Sequence, residues 1–165
     1  MSLTAAGLIH TVLAASGIVI GIVQFARRKG GTSHRALGYL FVTAMLLADV
    51  SALTIHQFTG GFNILHAGAI FNLGCIAAAM RPVLQRPRRA NWIAAHYGWI
   101  SGAYVGLIAA AATEFVVRIV PFSTRAHVWA ATAIVGVIVT AVGCLLIARY
   151  HPRARGASDE FSGAA

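Results

Sequence analysis

The stretch Trp92–Val116, WIAAHYGWISGAYVGLIAAAATEFV, decides the fold. It holds one acid, Glu114, and one histidine, His96, in a run of otherwise apolar and small residues. A helix of roughly 20 such residues crosses the hydrocarbon core of a bilayer. In lipid the segment must satisfy its own backbone hydrogen bonds, and this run is too long and too evenly apolar for a barrel strand. It reads as a transmembrane helix. Four more blocks share its character: Leu3–Phe25, Ser33–His56, Phe62–Met80 and Ala126–Tyr150. The whole chain agrees, with 58% apolar residues, 10% charged residues and a mean hydropathy of +0.76. Soluble domains carry about 25% charged residues. The expected class is all-α, an integral membrane bundle of five helices in one domain, residues 1–150. A tail, 151–165, rich in Pro, Arg, Gly and Ser, should be disordered on the cytoplasmic side.

The net charge of +9 is unevenly spread. Arg27, Arg28, Lys29 and Arg35 surround the first loop, Arg81, Arg86, Arg88 and Arg89 the third, and Arg149, Arg153 and Arg155 follow the last block. Only Arg118 and Arg125 fall on the other side, so eleven of the thirteen basic residues share one face. That bias predicts an N-out, C-in chain in the bacterial cytoplasmic membrane. It also argues against nucleic acid as a partner, since the basic loops suit anionic lipid headgroups. The start of the chain has no basic n-region and no small-residue cleavage site, so the first block should be a retained helix. Cys75 and Cys144 lie singly within apolar blocks, without the CxxCH that attaches haem covalently or the CxxC of a zinc knuckle.

The chemistry-bearing residues are histidines at the mouths or interiors of successive blocks: His10, His34, His66 and His96. Imidazoles within a membrane usually serve a task. In antiparallel helices His10 and His66 share a depth near the outer face, about 10 and 6 Å in at 1.5 Å per residue. His34 and His96 match near the inner face, more loosely. Two such pairs suit two flat cofactors stacked across a bilayer, and the inner arginines suit the propionates of an inner haem. Gly38 and Gly98, close to His34 and His96, would leave room for a macrocycle edge. The stripes Gly17/Gly21 and Gly98/Gly102/Gly106 let helices approach closely. Thr32 or Ser33 can cap the second helix.

Two acids open an alternative. Asp49 lies about 10 Å below the outer surface, and Glu114 near the outer end of its block. With His10 and His66 they form a mixed set, His10, Asp49, His66 and Glu114, suited to a zinc ion and to hydrolytic chemistry. Glu114 and Arg118 at i,i+4 can equally pair with each other. Asp49 and Glu114 could also titrate in a proton-coupled carrier, although no proline interrupts a block. His56 and His127 read as interfacial and His151 as a tail residue, with Trp92, Trp99 and Trp129 as interfacial aromatics.

The strings SHRALGYLFVTAMLLAD, GGFNILH and HYGWISGAYVGLIAAAATEFVVR resemble a family of small bacterial membrane proteins classed as domain of unknown function 2306. The likeness runs from about Thr32 to Arg118 and implies a multi-helix integral membrane protein, with no activity attached. The histidine order is similar to that of the transmembrane ascorbate-reducible di-haem cytochromes b, as is the short string His34-Arg35-Ala36-Leu37-Gly38. That resemblance implies haem b held by His10 with His66 and by His34 with His96. The leading expectation is electron transfer between a quinol or another donor and a redox protein partner, with a single copy, a homo-oligomer and a larger complex all left open. The zinc protein, and the proton-coupled carrier or accessory membrane subunit, stand beside it.

Overall fold

The computed structural model describes residues 4–56, 60–87 and 89–152. The expected tail therefore lies outside the described residues from position 153 on. Every regular element among the described residues is an α-helix: α1 Ala5–Ala26, α2 Gly31–Ala52, α3 Ile64–Leu84, α4 Trp92–Ile119 and α5 Arg125–Tyr150. All five are long and apolar enough to span a membrane. The all-α multi-pass reading holds, and each apolar block becomes one helix.

The ends of the helices have local causes. The Thr4 hydroxyl caps α1 by accepting from the Gly7 N–H at 3.2 Å, and Thr124 caps α5 by accepting from the His127 N–H. The first loop turns through Gly30 and Gly31, both at positive φ (87° and 76°), which suits glycine. This starts α2 two residues early, with Gly30 as its cap, so Thr32 and Ser33 lie inside the first turn and neither caps it. At the other end α2 stops at Ala52, short of His56. The Thr54 hydroxyl donates to the Ser51 carbonyl at 2.7 Å and closes a tight turn there. By contrast α3 continues past Met80 to Leu84, through Pro82. Proline has no N–H, so the Ala78 carbonyl one turn earlier loses its helical donor. Pro82 sits in the last turn and does not break the membrane span.

Consecutive helices α1 and α2, α3 and α4, and α4 and α5 pack along their lengths, while α2 with α3 and α1 with α4 close the bundle. Phe41 and Met45 of α2, Cys75 and Ile76 of α3, and Ala103 and Leu107 of α4 form its buried centre. The glycines of α1 explain how α1 reaches α4. A Cβ on Gly17 would sit 3.2 Å from Leu107, and one on Gly21 would overlap the Tyr104 ring. Tyr104 fills that space and donates its hydroxyl proton to the Ile18 carbonyl at 3.1 Å. Gly143 of α5 receives Val105 of α4 in the same way. The small-residue stripe of α1 is thus a packing surface. Large apolar side chains such as Val19, Phe71, Val137 and Leu145 point outward, as lipid-facing helices require.

Candidate functional site

At the end of the bundle bearing the α1–α2 and α3–α4 loops, α2 brings His34 and α4 brings His96. Both stand near the start of their helices, on the side of the loop that carries Lys29. The Nδ1 of His96 lies 3.0 Å from the Ala79 carbonyl. A carbonyl only accepts, so Nδ1 carries the proton and Nε2 presents a lone pair. That is the tautomer of a ligating histidine. The Nδ1 of His34 is buried with no hydrogen-bond partner among the described residues. Its backbone carbonyl accepts from the Gln24 side chain at 3.1 Å, and the same Gln24 amide occupies the space beside Gly38, 3.3 Å from where a Cβ would stand. A Cβ on Gly98 would stand 3.7 Å from the His151 Nε2. Lys29, in the loop, donates to the Phe25 carbonyl at 3.0 Å, and burial lowers its ammonium pKa.

At the opposite end of the bundle, His10 and His66 are held differently. His10 resembles His96: its Nδ1 donates to the Ala48 carbonyl at 3.0 Å, with the Ser51 hydroxyl at 3.2 Å, and this leaves Nε2 as an acceptor. His66 has the opposite role. It stands in the first turn of α3, 3% exposed, and its Nδ1 accepts from the Asn63 N–H at 3.2 Å in a capping box. The neutral ring must then carry its proton on Nε2, which is buried without a partner among the described residues. To ligate iron through Nε2, His66 would have to give up this cap. Its ring lies between Phe62 and His56, with centroids 5.1 and 5.0 Å away.

The acids also find partners of their own. Asp49 accepts from the Asn72 amide at 2.9 Å. The Asn72 oxygen lies 3.2 Å from where a Cβ on Gly106 would stand, so α2, α3 and α4 meet at this polar contact. Glu114 pairs with Arg118 on an exposed face, as their spacing predicts. His10, Asp49, His66 and Glu114 are therefore each engaged separately. Among the described residues no group of three or more His, Cys, Asp or Glu is assembled that could hold a metal ion. The zinc expectation finds no gathered donor set.

A family model described as "Predicted membrane protein (DUF2306)" matches residues 7–151. The chain belongs to this family. No curated protein and no solved structure matches it. The DUF2306 match is wider than the strings that suggest it, and it takes in His10, His34, His66, His96 and the Asp49–Asn72 contact. The DUF2306 description agrees with the five apolar helices in naming a membrane protein. Asn72 is the polar residue that reading the sequence for titratable groups passes over. Its signal is present, since it is an amide in the middle of an apolar block, and such groups in lipid require a partner.

Proposed function

We propose that this DUF2306 chain is a small membrane electron-transfer protein with a haem b held between His34 and His96. The observation that carries the reading is the tautomer of His96, whose Nδ1 proton is engaged by Ala79 so that Nε2 keeps its lone pair, at the same end of the bundle as His34 near the start of α2. A haem bound there would supply one-electron chemistry. The chain would supply two axial imidazoles, an apolar surround, and basic side chains of the first loop to neutralise carboxylates. The inner pair is the better supported. His10 is equipped as a ligand on the outer side, whereas His66 is committed to its cap. The test is the visible spectrum of the purified protein, oxidised and dithionite-reduced. A Soret band with sharp reduced α and β bands supports the reading, and a colourless protein removes it.

We further propose that the loops bearing Arg27–Lys29 and Arg86–Arg89 face the cytoplasm, in a bacterial inner membrane. Reporter fusions after Arg89 and after Pro152 should report cytoplasm, and one at Gly61 the outside. The reverse pattern would overturn the orientation.

A second reading, proton coupling, is favoured by Asp49. Its carboxylate shares the bundle with Asn72 and has no ion-pair partner among the described residues. Asn72→Leu removes its donor and should cost about 1–3 kcal/mol, the penalty of an unsatisfied buried polar group. Asp49→Asn keeps a hydrogen-bonding side chain and should cost less than about 1 kcal/mol. Thermal unfolding in detergent compares the two. Equal losses would show that the Asp49–Asn72 bond carries no special weight. Proton flux in liposomes that survives Asp49→Asn would remove the coupling role.

A further inference from the structure

A cleft of about 350 Å³ opens where the α3–α4 hairpin meets its loop. Ala78, Pro82 and Ala95 line its apolar part, and the Trp99 indole, 47% exposed, forms a wall. Arg81 and Arg89 stand at its edge. No carboxylate pairs with either arginine among the described residues, where the ion pair found is that of Arg118 with Glu114, near the far end of α4. The sequence has four acids in all: Asp49, engaged by Asn72, Glu114, engaged by Arg118, and Asp159 and Glu160 beyond the described residues.

Two guanidinium groups beside an apolar trough, at the end of two membrane helices, call for a ligand with an anionic head and a hydrocarbon tail. Guanidinium forks match phosphate oxygens in pairs. An indole at this level lies where glycerol gives way to acyl chain. Basic pockets between transmembrane helices are known seats for acidic headgroups. We propose that this cleft seats an anionic phospholipid, with its phosphodiester against Arg81 and Arg89 and one acyl chain along Ala78, Ala95 and Trp99. The seat is independent of the haem reading, and its test uses no haem signal.

The test isolates Trp99 in a Trp92→Phe, Trp129→Phe variant placed in phosphatidylcholine nanodiscs; Trp92 also lines the cleft, and phenylalanine keeps an aromatic wall there. A small fraction of the lipid is replaced by brominated phosphatidylglycerol or brominated phosphatidylcholine. Bromine quenches an indole on contact, so the seat predicts stronger quenching by the anionic lipid. Arg81→Gln with Arg89→Gln should weaken that preference about fivefold for each charge removed. Arg27→Gln with Arg28→Gln removes equal charge from another loop and should leave it intact. Arg81→Lys with Arg89→Lys keeps the charge on a gentler change and should retain a reduced preference. Equal quenching by the two brominated lipids would overturn the proposal. So would an equal loss in the Arg27/Arg28 variant, which would mean diffuse surface charge. Equal quenching by the two lipids, together with a change in Trp99 emission on adding millimolar inorganic phosphate that is lost in the Arg81→Gln, Arg89→Gln variant, would show a phosphate site in place of a lipid seat.

Discussion

His96→Ala is expected to abolish the reduced α and β bands of the proposed inner haem, and His34→Ala to do the same. The double variant should lose no more than either single one, because the two imidazoles act on one iron and their effects do not add. His96 enters with its Nδ1 proton engaged by Ala79, which fixes both the ring and the lone pair on Nε2. Alanine removes donor and orientation together. His10→Ala is the internal control. Its ring is held on α2 by Ala48, apart from the His34–His96 pair, so the inner bands should survive it. Haem content by pyridine haemochrome, with circular dichroism to verify the fold, reads the outcome. Full haem retention in both single variants would sink the inner site.

The second large effect is mechanical. Gly21→Leu is expected to destabilise the bundle by about 1–3 kcal/mol or more, since overpacking a filled site forces side chains and backbone to shift. Here the obstacle is the Tyr104 ring, which covers Gly21 while its hydroxyl is tied to Ile18. Tyr104→Phe loses only that hydrogen bond and should cost about 1 kcal/mol. Gly102→Leu belongs to a similar glycine stripe on α4, yet a Cβ there would meet nothing within 4 Å, so it should be nearly neutral. Thermal melting in detergent ranks the three. A tolerated Gly21→Leu, or a Gly102→Leu as damaging, would contradict the way α1 seats on α4.

The contrast between those two glycine stripes shows where sequence reading reaches its limit. Spacing alone marks both as small-residue faces. Which positions are filled depends on partners distant along the chain: Leu107 and Tyr104 at Gly17 and Gly21, and Asn72 at Gly106, whereas Gly102 is left open. The helices themselves are legible because hydropathy is a local property, and their spans differ from the apolar blocks only at the ends. Those ends moved for reasons of backbone chemistry: the left-handed glycines before α2, the Thr54 turn after it, and the tolerance of Pro82 in a last turn.

The histidine order is legible too, but the tautomers are not. His10 and His66 look equivalent by depth. One donates to a carbonyl across a helix pair, and the other accepts from the backbone of its own cap. Only the position of Asn63 and the start of α3 reveal that difference. Asp49 is conspicuous as an acid in an apolar block, whereas its partner Asn72 emerges only once α2 and α3 are side by side.

The position of α5 bears on how the protein is made. Among the described residues it touches α4 and no other helix. The contacts joining α1, α2, α3 and α4 use no residue of α5, so they can form before α5 leaves the ribosome, and His151 at the end of α5 then closes on Tyr97. The last segment synthesised is the one whose delay the rest of the molecule would feel least.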